Sequence, residues 1–408
     1  AGCGGAAGTA SGSTASTASG SGESTAAVNE ELSGELVFAI WDNNLMQYID
    51  DNDMVGKFQE RYPNAEIEVE KIKDDSEYWN AMKMRASANQ LPDVMFNKPF
   101  TLSRFKDYLL DLSDLEAAKN NTLAEGYAID GKVLGVPMTA GYEYVYYWKD
   151  MFKEAGVEVP TTWEELKEAA LALTVRDDAG NITRAGFAFP MTGGNMVEYD
   201  VFVFGNGGRF TDEDMNPTID TEEGLEAFEF LNSFLAEVNI PYSNNDINPF
   251  LTGNAAMTLI NNVSLRPILE NEEYIGKVGI AFPPTNGTHL TFSGCNMLSI
   301  SCDSEHPDEA FEFIKFALST EIVLRRAEML NVPVVRTSLL EEYNAMDPYN
   351  AVRSDCVQNG ISMPATVWSP QFMTIRNELI QKVLFGESDP ATALSEAQEK
   401  LEEEIEFL

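Results

Sequence analysis

The chain has 408 residues, 44% of them hydrophobic and 10% aromatic, more than one hydrophobic core usually serves, so two lobes are expected. A formal charge of −39 repels nucleic-acid phosphates and acidic membrane surfaces and sets nucleic acid aside as a partner. Two histidines and four cysteines weigh against histidine-based catalysis and zinc sites, and no metal or cofactor is expected.

Residues 1–22 contain only Ala, Gly, Ser, Thr and Cys3, too few bulky apolar groups to offset the entropy of folding, so residues 1–34 read as a flexible tether. Ala1-Gly2-Cys3 looks like the end of a bacterial lipobox, and Cys3 is the expected site of lipid attachment. From Glu35 the character changes. Leu36 to Trp41 is a continuous apolar run of six, suited to a strand buried on both faces and far short of the roughly 18 residues of a membrane-spanning helix. Leu45, Ile49, Val55, Phe58 and Tyr62 recur at near-helical spacing until Pro63. Ile67 and Val69 alternate with acids in a second strand, a helix follows around Tyr78, Trp79, Met82 and Ala86, and Pro92 to Phe96 supplies a third strand. This βαβαβ order predicts an α/β fold with an open, mostly parallel sheet.

Further along, Tyr142, Tyr144, Tyr146 and Trp148 alternate onto one face of a strand. Thr162 with Glu165, and Asp220 with Glu223, read as capping boxes that open helices, and Asp389-Pro390 starts the last helix. Cys295 and Cys302 lie seven apart along one strand and its exit, which disfavours a disulfide between them; with Cys356 they read as small buried apolar residues.

Six segments in this order resemble the extracellular solute-binding proteins of ABC importers, specifically their family 1 carbohydrate-binding group. They are Leu91-Pro92-Asp93-Val94, Gly135-Val136-Pro137, Tyr146 to Phe152 with Ala155-Gly156-Val157, Pro160 to Leu166, Gly253 to Met257, and Glu309 to Phe316. The resemblance implies a two-lobed fold with ligand between the lobes and three crossings, near residues 138–141, 292–295 and 340–346. Lobe 1 is then residues 35–140 plus 293–344, and lobe 2 residues 141–292 plus 345–408. It also implies a monomeric, non-enzymatic receptor for a carbohydrate, with an oligosaccharide expected. Such a receptor sits on the extracellular face of a bacterial cell membrane and passes its ligand to permease subunits. The chain departs from the family where Trp148 replaces a frequent Asn, and where Asn261-Asn262-Val263 replaces a frequent Gly-x-Trp.

A sugar offers apolar CH faces and a rim of hydroxyls, so aromatic planes and fixed amides or charges are the groups to seek. Trp41, Asp42 and Asn43 follow the first strand, and Asn97 and Lys98 follow the third, where open α/β sheets bind ligands. Tyr142 and Glu143 flank the first crossing. Asn261, Asn262 and Arg266 stand where the family's missing Trp would stack. Trp368 lies in a loop before the penultimate helix, with no apolar stripe to join. Trp79, Trp148 and Trp163 read as core. Asp212-x-Asp214-x-Asn216 imitates a calcium loop, but Pro217 stands where that loop needs Gly, so a hairpin is expected. The rival readings are a glycoside-active enzyme with paired cleft carboxylates and a surface adhesin.

Overall fold

The computed structural model describes residues 28–406 except 42, 52–53, 122, 125–126, 194–195, 262–267, 269–270, 272, 275 and 364–365. The βαβαβ opening is present. β1 (Ser33–Ile40) lies parallel to β2 (Asn64–Lys71) and to β3 (Val94–Asn97), and the helix Asp75–Ala88 joins the last two. β1 starts at Ser33 rather than Glu35, and the stretch expected as one helix up to Tyr62 holds two, Asn43–Asp51 and Met54–Arg61. Leu36, Phe38, Ala39 and Ile40 are buried, as the unbroken apolar run requires of a strand covered on both faces.

β4 (Val136–Gly141) carries the chain out of this sheet, and one residue later β5 (Glu143–Trp148) begins a second. β6 (Val175–Arg176), β7 (Ile182–Ala188), β8 (Ala255–Asn261) and β9 (Val278–Ala281) complete it in the order β6-β7-β8-β5-β9. β10 (Thr291–Phe292) then leads into β11 (Gly294–Ile300), which returns to the first sheet, ordered β2-β1-β3-β11-β4; β12 (Gly360–Ile361) pairs with β10.

Both sheets are mixed where mostly parallel ones are expected. The crossings explain this. β4 leaves the first lobe and β11 enters it, so as neighbours they run antiparallel, with Gly294 opposite Gly141. In the second sheet β7 and β8 are parallel, but β5 arrives from the crossing and runs against both β8 and β9. Glu143, the first residue of β5, therefore sits opposite Asn261, the last of β8.

Helices cover each sheet. In the first lobe Phe313 of the helix Pro307–Ala317 packs on Phe38 and Phe58. In the second, Thr162 and Glu165 close the expected capping box on the helix Trp163–Leu173, and Trp163 stacks on Phe230 with centroids 4.7 Å apart. That helix lies so close to β7 that a Cβ on Gly186 would stand 1.9 Å from the Ala170 carbonyl oxygen. The helix Glu222–Val238 is capped by Thr221 rather than Asp220, because the Thr221 hydroxyl is the group that accepts from the Gly224 amide, at 3.1 Å. Trp148 stacks on Phe250 at 5.2 Å and donates its indole N–H to the Phe250 carbonyl. Cys295 and Cys356 are buried thiols as expected, whereas Cys302 is half-buried and disulfide-bonded rather than a small buried apolar residue. Where the third crossing is expected, Asn350 donates to the Tyr343 carbonyl at 2.7 Å, and the Arg353 guanidinium sits beside Tyr144 and Tyr146 of β5. Among the described residues no helix is long and apolar enough to cross a membrane.

Candidate functional site

A cavity of about 360 Å³ lies between the lobes, beside the two strands that cross from one to the other. Its floor is the end of β4, Thr139 to Gly141, and the start of β11, Gly294 to Asn296. The first lobe contributes Phe96, Lys98 and Phe100, together with Leu330 and Val332. Facing them in the second lobe are Glu143, Asn261, Val197, Met373 and Arg376, and Phe292 and Ser293 close the side at the second crossing.

The Lys98 loop is built by local chemistry. Pro99 opens the helix Pro99–Phe105, for which its fixed φ is preorganised. The Lys98 amide donates to Asn97 Oδ1 at 3.0 Å and to Thr101 Oγ1 at 3.2 Å, which turns the chain so that Lys98 and Phe100 reach the cavity. Asn97 itself is fully buried, held by Thr101 and by a 3.4 Å bond from its amide to Ser299 Oγ. It fixes the loop rather than lining the cavity.

Of the candidates read from the sequence, the structure brings Lys98, Glu143 and Asn261 together on this cavity. Trp41 stands one layer behind. Its ring packs 4.6 Å from Tyr78 and 4.7 Å from Phe96, with the Lys98 ammonium 4.9 Å from its centroid, so it supports the wall that Phe96 and Lys98 present. Tyr142 is fully buried beside Tyr144, because β5 turns that face into the core. Trp368 is also elsewhere. Its indole N–H donates to the Met215 carbonyl at 3.2 Å and its ring packs on Phe372, so it ties the hairpin that begins at Asp212 to the second lobe. In that hairpin Asp212 accepts from the Asp214 and Asn216 amides at 2.9 and 2.8 Å, and among the described residues no group of three His, Cys, Asp or Glu could hold a metal. Asn43 opens the first helix, while Cys3, Asp42, Asn262 and Arg266 lie outside the described residues.

Phe100, Phe292, Ser293, Asn296 and Arg376 were not among the candidates. Phe100 had a usable signal, since it follows a strand-end Lys-Pro step; Arg376 had none, being one polar position on an amphipathic helix.

Behind the second-lobe wall is a buried charge cluster. Asp200, on the helix Glu198–Gly205, pairs with Arg376 of the helix Ser369–Leu384, both about 1% exposed. Burial raises the Asp200 and Glu198 carboxyls to about 7 despite the guanidinium. Glu143 is pushed well above the ordinary carboxylate range, first by burial and then by the charge of Glu198. One oxygen each of Glu143 and Glu198 has no hydrogen-bond partner. The arrangement combines phenyl faces, amides, a hydroxyl and fixed charges in a largely apolar slot, which suits a ligand with both CH faces and hydroxyls.

Comparison with known proteins agrees with this architecture. The bacterial extracellular solute-binding protein family matches residues 53–352. The putative ABC transporter periplasmic-binding protein YcjN of Escherichia coli is 22% identical over 86% of this chain and 88% of its own. The mannitol-binding protein of Pseudomonas aeruginosa is 27% identical over 73% and 74%. Among solved structures, the GacH receptor of Streptomyces glaucescens superposes with a TM-score of 0.78 at 22% identity, covering 91% of this chain and 99% of that one. Two lobes joined by crossing strands, a cavity between them and a family match across most of the length lead to one placement: the chain belongs to the bacterial extracellular solute-binding proteins.

Proposed function

We propose that the protein is a non-enzymatic receptor for a carbohydrate or polyol, which it captures between its lobes outside the cell and delivers to the permease subunits of an ABC importer. The observation that carries this reading is the interlobe cavity, with Phe100 and Phe292 as apolar planes and Lys98, Glu143 and Asn261 as polar partners. The relatives named for sugar-like ligands support it, the mannitol-binding protein by sequence and GacH through its complex with acarbose. Ligand draws the lobes together by shifting the population toward the closed form. A cavity of about 360 Å³ is at the small end of ligand sites, which span roughly 300–1,000 Å³. It favours a short oligosaccharide or a single ring over a long chain. Lipid attachment at Cys3 and a monomeric state complete the proposal.

Calorimetry over a panel of neutral sugars and polyols, with small-angle scattering, tests it. Affinity on the order of micromolar together with compaction is expected; no binding anywhere in the panel would refute it. One observation favours a second reading, since Glu143 at the wall has a second carboxyl, Glu198, acting on it. A glycoside hydrolase, however, places its two carboxyls on either side of the scissile bond, about 5–9 Å apart. Here both belong to the second lobe, and Glu198 lies behind Glu143. Chromatography of oligosaccharides after long incubation should find no products.

A further inference from the structure

We propose that Glu143 takes part in ligand capture as an uncharged carboxylic acid, donating its proton to an oxygen of a neutral sugar or polyol, so that capture is coupled to proton binding. This rests on the interlobe cavity being the ligand site.

Glu143 lines the cavity, is only 6% exposed and keeps one carboxyl oxygen without a partner. The acid whose charge acts on it is Glu198, itself 3% exposed, and two such charges do not both persist away from water. The surroundings decide which member holds the proton. Glu198 has stabilisers for the anion: it begins the helix Glu198–Gly205, feels the positive charge of Arg376, and accepts from the Asn244 amide at 3.4 Å. Among the described residues Glu143 has only the Asn261 amide, and burial holds its carboxyl well above the ordinary range.

Among the described residues, the other charged or titratable groups around Glu143 do not reverse this order. Asp200, on the Glu198 helix, is taken by Arg376. Tyr242, on the segment beside Glu198, and Tyr146, on the same strand as Glu143, are phenols whose own ionisation burial pushes up. Lys98 stands on the opposite lobe, with its ammonium over Trp41. Glu143 thus stands at the cavity wall with an oxygen that has neither a hydrogen-bond partner nor contact with water; a ligand oxygen drawn against that wall supplies the acceptor the proton lacks, whereas an ionised Glu143 would present a charge to a ligand that cannot neutralise it.

The test is titration calorimetry from about pH 5 to pH 9 with the neutral sugar or polyol of the panel that binds most tightly, using wild type, E143Q and E143A. Wild-type affinity should fall toward alkaline pH, approaching about tenfold per unit once Glu143 ionises, with proton uptake visible as a dependence on buffer ionisation heat. E143Q, which keeps a donor but cannot ionise, should lose that slope and bind more tightly than wild type at the alkaline end. E143A should bind at least about tenfold more weakly than E143Q. Circular dichroism confirms that both variants are folded; should E143A fail to fold, the E143Q slope decides. A flat wild-type profile, or E143Q weaker than wild type at every pH, would overturn the proposal while leaving the receptor reading intact. If nothing binds wild type at any pH, the receptor reading falls and takes this one with it.

Discussion

Replacing Arg376 by Met tests the buried charge cluster most directly. The substitution keeps an unbranched chain of similar reach in the helix Ser369–Leu384 but removes the guanidinium that pairs with Asp200. Asp200 is then left about 1% exposed with Glu198 two residues away, and neither has another cation among the described residues. Removing one partner of a buried pair costs about 3–5 kcal/mol, since the remaining charge stays desolvated. Protonation offers an escape. Burial already raises Asp200 to about 7, so near pH 5 the orphaned carboxyl takes a proton and the loss shrinks, whereas at pH 8 the full loss applies. Urea unfolding of wild type, R376M and D200N/R376M at both pH values measures this. The double variant should recover roughly 1–3 kcal/mol relative to R376M at pH 8, as expected for directly interacting residues. A loss below about 1 kcal/mol in R376M at pH 8, or a double variant no more stable than the single, would show that the pair does not hold the two helices together.

Other outcomes follow from the same structure. F100A and F292A should each weaken sugar binding by about 1–3 kcal/mol in calorimetry, because their rings line the cavity. W368A should leave affinity nearly unchanged but lower stability by about 3–5 kcal/mol, because its ring is buried on Phe372. Stability should also depend on pH through Glu198 and Asp200. Both are raised to about 7, so the folded state binds their protons more tightly than the unfolded chain; the stability they contribute is full below about pH 4 and is lost as pH rises through 7. Scanning calorimetry should accordingly find a higher unfolding temperature at pH 5 than at pH 8. G186A should destabilise by about 1–3 kcal/mol, since the new methyl meets the Ala170 carbonyl and the helix Trp163–Leu173 must shift.

Much of this fold is written in short-range patterns. The apolar run at Leu36, the capping box at Thr162 and the Asp389-Pro390 helix start each act within a few residues and appear where expected. The sheet directions were not legible in this way. They depend on which strands the crossings bring side by side, and nothing within β4 or β11 states that they will pair. The site divides similarly. Lys98 was read from a strand end, Glu143 from its place beside the first crossing and Asn261 from the family position where a Trp is missing, and all three line the cavity. Trp41 and Trp368 misled because indole suits both sugar stacking and core packing; here one backs a wall and the other binds a distant carbonyl, and residue type alone does not distinguish these uses. Phe292 is the converse. Its place on the cavity comes from β10 pairing with β12, a contact between segments far apart in the chain.

The last rung of the β4–β11 ladder pairs Gly141 with Gly294, and the cavity floor reaches both. Were the lobes to swing about that rung, it would act as an axle, and distance from it would set how far each group travels. Thr139, Ala140 and Asn296 lie close to the axle and meet the ligand in much the same way at any lobe angle. Phe100, on the helix Pro99–Phe105, and Met373, on the helix Ser369–Leu384, are carried by elements outside the ladder and would gain contact as the angle narrows. Arrival and retention would then fall to different residues: changes near the axle would alter how fast a sugar is first held, and changes along the arms how long it stays.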